Sequence, residues 1–157
     1  MDIIKEIKEI LALQNLNEKE IRLSLLNDEF EYGDGSNEAD IAEGIQLLLA
    51  ATLQEDNKTV KKKVFRTIDK AVVHHDIRDL VDWDRLAVAL PSLGKWELEY
   101  VLDILGISGQ ARYLPALEEY THHADPEIRE WAQEAITEIE YQVTRATDLQ
   151  KERKLTA

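Results

Sequence analysis

The sequence predicts an all-α fold, an α-α superhelix of about four antiparallel helix pairs, on three observations. Apolar residues recur at helical spacing along most of the chain. Only six Gly and three Pro interrupt 157 residues. A turn, a cation and an apolar stripe recur together along the chain, as in repeat architectures. Hydrophobic residues make up 44% and charged residues 32%, which argues against disorder, collagen-like repeats and a loop-rich sandwich. The length suits one domain over 1–157.

Taken in order, Ile3, Ile7, Ile10 and Leu11 mark a first amphipathic helix over about 2–14. Asn17-Glu18-Lys19-Glu20-Ile21-Arg22 with Leu25 marks a second over 17–31. The polar stretch Tyr32-Gly33-Asp34-Gly35-Ser36-Asn37 is the loosest connection and is expected to be mobile. Ile41, Ile45, Leu48, Leu49 and Thr52 then define a helix over 38–54, and Asp56-Asn57-Lys58-Thr59-Val60-Lys61 with Val64 and Ile68 opens its companion over 57–74. Trp83, Leu86, Ala87 and Leu90 give 83–90, and a degenerate copy around Leu98, Val101, Leu102 and Leu105 gives 95–106, with Glu99 where the others carry a cation.

The clearest unit is the last. Leu114-Pro115-Ala116-Leu117 lies in a helix over 111–122, and Asp125-Pro126-Glu127-Ile128-Arg129 opens one over 126–144. Asp125 fits an N-cap with proline at the first helical position, where a missing N–H costs nothing. Ile128, Trp131, Ala132, Ala135, Ile136 and Ile139 then form one stripe. The four units are therefore 2–31, 38–74, 83–106 and 111–144. A tail over 145–157 loses the strong stripe and is expected to fray into solvent or cap a partner. Trp83, Trp96 and Trp131 sit at or near apolar stripes and read as core.

The Leu-Pro-x-Leu helix at Leu114, the Asp-Pro-x-Ile-Arg turn at Asp125 and the Ala-x-x-Ala-Ile stripe from Ala132 together resemble the HEAT-like repeat family, of the armadillo/HEAT-type α-solenoids. The bacterial HEAT-like repeats also found in phycobilin lyases are the nearest form. The resemblance covers about 85–144 well and 17–73 moderately. It implies a solenoid that presents surfaces to other macromolecules, with enzymes a minority. It also implies that the cations after the turns, Arg22, Lys61 and Arg129, make intramolecular contacts with nearby acids.

The net charge of −13 sets a field that repels phosphate backbones and anionic lipid. Neither nucleic acid nor membrane is an expected partner. The charge is uneven: −10 over 1–57, +4 over 58–80 and −7 over 81–157. Lys58, Lys61, Lys62, Lys63, Arg66 and Lys70 form a basic island between acidic flanks. Helical phase puts Lys62, Arg66 and Lys70 opposite the core of their helix, and Tyr100 with Ile104, then Glu130 with Glu134, at the matching places downstream. If the second helix of each pair lines the concave side, as in the family, that surface runs basic, then apolar, then acidic. Such a groove suits a protein partner. Packing of Tyr100 and Ile104 under a neighbouring helix is the alternative, which a register error of one residue would produce.

The residues offer little chemistry. There is no Cys, hence no disulfide, thiol nucleophile or Cys-based metal site, in keeping with a reducing cytoplasm. The N-terminus Met1-Asp2-Ile3-Ile4-Lys5-Glu6 lacks the basic and apolar regions of a secretion signal, so an unprocessed soluble protein is expected. The pairs His74-His75 and His122-His123 diverge on a helix and suit its C-terminal dipole better than a shared metal. Hydrolase, Walker, dinucleotide and zinc-protease motifs are missing.

No catalytic residue, metal or cofactor is assigned. The sequence points to a non-catalytic, cytoplasmic protein-binding module, a monomer or weak oligomer, acting as adaptor, assembly factor or inhibitor. One alternative is an immunity-type antitoxin that neutralises a basic toxin. Another is a phycobilin lyase-like enzyme or subunit, which the missing thiol weakens.

Overall fold

The computed structural model describes residues 1–33 and 35–156, and every regular element among them is helical. Asp34, in the loop expected at 32–37, and Ala157, at the end of the expected tail, lie outside the described residues. The chain divides into two compact units, residues 1–89 and 90–157. This boundary falls within the span 83–106, so the two helices of the expected third pair belong to different units.

The first unit holds α1 (Ile3–Ala12), α2 (Leu16–Tyr32), α3 (Glu38–Thr52), α4 (Lys58–His74) and the short α5 (Asp84–Ala89). Each of the first four begins at a polar cap. Asp2, Asn15, Asn37 and Asn57 accept backbone N–H groups from Lys5, Glu18, Asp40 and Val60 at 2.8–3.2 Å. Each cap satisfies an N–H that has no partner in the first turn. α1 packs on α3 and α2 on α4, with α3 also against α4. Ile3, Ile7 and Ile10 of α1, Ile41, Ile45 and Leu48 of α3, Leu23, Leu26 and Phe30 of α2, and Phe65, Ile68 and Val72 of α4 are all buried.

The cap positions correct the reading of α2. Its N-cap is Asn15, so Asn57 of α4 matches Asn15 and not Glu18, three residues earlier than the expected match of Asn17 with Asp56. Ile21 and Leu25, read as the apolar stripe, face solvent at 53% and 57% exposure. With Asn15 superposed on Asn57, the buried Leu23, Leu26 and Phe30 fall on the buried Phe65, Ile68 and Val72. The two helices thus share an Asn cap and the offsets of their buried residues, in a phase different from the expected one.

After α4 the connector carries its own core. Ile77, Val81 and Trp83 are buried, and the Trp83 indole N–H donates to Arg78 O at 3.0 Å. The Gln46 side-chain amide holds the Asp82 backbone at both ends, donating to its carbonyl at 3.1 Å and accepting its N–H at 2.9 Å. Pro91 follows α5 within a 3-10 turn, Leu90–Ser92.

The second unit contains α6 (Lys95–Ser108), α7 (Leu114–Tyr120) and α8 (Pro126–Thr156), with α6 and α7 both packed on α8. Gly109, at the end of α6, takes φ 67°, a left-handed conformation that glycine adopts at little cost. Asp125 Oδ1 accepts the Glu127 N–H at 2.9 Å, the cap expected for α8. α6 and α8 approach closely: a methyl group built on Gly106 would lie 2.8 Å from Ala135 Cα.

Three expectations change here. Trp83 is fully buried, whereas Trp96 and Trp131 are only half-buried. The Lys95 ammonium stands 5.9 Å from the Trp131 ring centroid. The expected frayed tail is helical through Thr156, within the described residues. α7 is shorter than 111–122, because Ala111–Tyr113 form a 3-10 turn before it and Tyr120 ends it.

Candidate functional site

α2 and α4 of the first unit run parallel, as their contacts advance together along both helices. Lys63 Nζ donates to Ser24 Oγ at 2.9 Å, and Lys70 Nζ pairs with Glu31 Oε2 at 2.9 Å. The ring Nε2–H of His75 donates to Phe30 O at 2.9 Å, with the two rings edge to face at 6.1 Å. The hydrogen bond from Lys70 holds the Glu31 carboxyl below the usual carboxylate range, and Glu31 in turn raises Lys70. The pair therefore stays charged at neutral pH and is lost only as acid protonates Glu31 through that lowered value. It is solvent-screened and contributes little stability.

Two rows face solvent on this side. On α2, Ile21, Leu25, Asp28 and Tyr32 follow one another at steps of four, three and four residues, with Tyr32 79% exposed. On α4 the matching row is Lys62, Arg66 and Lys70, ending in the exposed Val73. Between them lies a cleft of about 240 Å³ lined by Leu23, Ser24, Asn27, Asp28, Lys63, Arg66 and Thr67. Asn27 Oδ1 in this cleft is buried and accepts no hydrogen bond. Such an atom is costly unless a donor reaches it.

The expected basic residues thus share one face of α4, with Arg66 the most open to solvent and Lys70 engaged by Glu31. The remaining site candidates lie in the second unit. Tyr100 is half-buried, edge-on to Trp96 at 6.3 Å. Ile104 is 1% exposed and belongs to the core, which corrects its reading as a surface anchor. The reason is geometric: α6 buries Val101, Ile104 and Ser108 as well as Leu98, Leu102 and Leu105, a wider arc than one stripe. Glu130 and Glu134 are exposed on α8, on the side opposite its buried stripe.

The other polar residues singled out in the sequence serve the fold. Arg22 bridges Glu6 and Glu9 of α1, each at 2.9 Å, and is raised by those hydrogen bonds. Arg129 instead donates to the carbonyls of His123 and Ala124, at 2.8 and 3.1 Å. Lys95 joins Asp125 at 2.8 Å and Glu127 at 2.9 Å. The Lys95 hydrogen bond, helped by the backbone N–H of Glu127, keeps Asp125 below the usual carboxylate range. His123 Nδ1 accepts the Asp125 N–H at 3.0 Å, which sets its tautomer with the proton on Nε2, and its ring stacks on Tyr120.

Among the described residues no group of three or more His, Asp or Glu side chains is arranged to hold a metal ion. No helix among them is long and apolar enough to cross a membrane. Sequence reasoning missed Ile21, Leu25 and Tyr32 as surface residues. The signal was present, since Asn15 followed three residues later by Glu18 is a helix start, and it moves the stripe to Leu23, Leu26 and Phe30. Comparison of the chain with protein-family models, curated proteins and solved structures gives no match.

Proposed function

We propose that the chain is a non-catalytic protein-binding module of HEAT-like helix pairs, cytoplasmic, which acts as adaptor, assembly factor or inhibitor and docks its partner on the α2/α4 face. The observation that carries the reading is the line of Ile21, Leu25 and Tyr32, exposed at 53%, 57% and 79%, beside the basic row of α4. A lone exposed apolar residue needs no explanation, but a line of them rimmed by charge marks an interaction surface. The parallel placing of α2 and α4, with α1 on α3 beneath, supports the solenoid reading.

The partner that fits is a protein segment with apolar side chains on one edge and carboxylates on the other. Its apolar side chains cover Leu25 and Tyr32, its acids meet Arg66 and Lys62, and a donor from it reaches Asn27 Oδ1. Nucleic acid fits less well, since Lys63 and Lys70 direct their ammonium groups at α2. Catalysis finds no support in the cleft: no histidine lines it, and the Ser24 hydroxyl donates to Glu20 O. A second reading rests on α8, where Glu127, Glu130 and Glu134 form an exposed acidic row suited to a basic partner such as a cationic toxin.

Kinetics with the partner captured from the native host separate these readings. Leu25→Ala and Tyr32→Ala are expected to speed dissociation about tenfold or more, since desolvated anchors act on the off-rate. Arg66→Glu is expected to slow association and flatten its salt dependence, because exposed charges steer encounter. Wild-type rates in these variants, with loss of binding in Glu130→Lys/Glu134→Lys, would move the site to α8.

A further inference from the structure

α8 has 31 residues, and its buried ones end at Ile139. Residues 140–156 contain none that is buried, yet all of them are helical. A helical segment of this length without packing is marginal in water on propensity alone. The buried positions Ile128, Ala132, Ala135 and Ile139 alternate at steps of four, three and four, the spacing of a coiled-coil seam. The same alternation continues through Gln142, Ala146, Leu149 and Arg153, now exposed or half-buried. The seam that packs on α6 and α7 in the first half of the helix therefore goes on without a cover in the second.

We propose that a second copy of this chain covers it, with residues 140–156 of two α8 helices pairing antiparallel about a two-fold axis. The flanking charges select this occupant and this orientation. Arg145 and Glu152 occupy the same flank of the seam, one heptad apart. In an antiparallel pair each faces the other on the opposite copy, giving two symmetric ion pairs. In a parallel pair the residue opposite Arg145 is Gln150, and no ion pair forms. Antiparallel pairing also sets Ala146 against Leu149 of the second copy, with Val143 at the edge. It brings Arg153 and Lys154 toward the end of the second copy that carries Glu138 and Glu140. The segment is thus complementary to itself reversed, as an isologous interface requires. With so few apolar residues in the seam, the dimer is weak and reversible.

Sedimentation equilibrium on the full chain at about 100 μM, where weak dimers are populated, tests the proposal by charge exchange. The wild type is expected to sediment as a monomer–dimer mixture. Arg145→Glu and Glu152→Arg are each expected to weaken the dimer at least tenfold. The double variant Arg145→Glu/Glu152→Arg is expected to restore it, and the two single variants mixed together are expected to form a heterodimer. Lys151→Gln, on the outer face of the pair, should leave it unchanged. All the variants should keep the wild-type melting temperature, because the buried part of α8 ends before them. A wild type that remains monomeric, or a double variant no better than the singles, would overturn the proposal.

Discussion

Ala132→Asp is expected to destabilise the second unit by about 3 kcal/mol or more, the usual cost of an unpaired charge placed in an apolar interior. Ala132 has no exposed surface, and it lies within the stripe by which α8 packs on α6 and α7. The packing leaves no slack. On the same stripe, Ala135 comes so near Gly106 that an added methyl on the glycine would stand 3.0 Å from the Ala135 Cβ. A carboxylate at 132 would lose its hydration in this apolar stripe. Urea unfolding followed by circular dichroism reads the loss directly. Ala132→Ser, which adds a small hydroxyl able to bond its own helix backbone, should cost far less. A wild-type midpoint for the aspartate variant would show that Ala132 does not face the core.

Trp83→Ala is expected to cost about 3–5 kcal/mol, the range for removing a large aromatic from a core that cannot collapse. Trp83 is fully buried, and its indole N–H is the donor to Arg78 O. Its ring stands at the end of a connector whose Ile77 and Val81 are also buried, so the side chain anchors non-helical backbone as well as filling space. Trp83→Phe separates the two roles. It keeps most of the apolar contact and removes the indole hydrogen bond to the Arg78 carbonyl, a loss of about 1 kcal/mol. Equal midpoints for the alanine and phenylalanine variants would contradict this division.

The all-helical class was legible because it rests on periodicity, and periodicity survives uncertainty about any single residue. Ile3, Ile7 and Ile10, then Ile41, Ile45 and Leu48, are buried where the sequence placed them. Asp125 caps α8 as its position before Pro126 implied. Phase was harder to read. In α2 both Ile21 with Leu25 and Leu23 with Leu26 offer apolar pairs near a polar start, and only the choice of Asn15 as cap decides between them. Ile104 shows the converse difficulty: a helix buried over a wide arc has no single stripe, so a position opposite one buried residue can still be inside. The α2/α4 face was half legible. Lys62, Arg66 and Lys70 could be placed by helical phase alone, whereas Asn27 gives no local signal, because burial without a partner depends on what packs around it.

Ile21, Leu25 and Tyr32 carry the functional reading, so the most direct measurement is site-specific photo-crosslinking in the native host. A photoreactive residue is placed at Leu25 or Tyr32 and, as a control in the same unit, at Val88, which is 80% exposed on α5. A protein-binding α2/α4 face predicts one discrete adduct with another protein from positions 25 and 32, lost when Arg66→Glu is added, and none from position 88. Adducts from position 88 with none from 25 or 32 would contradict it.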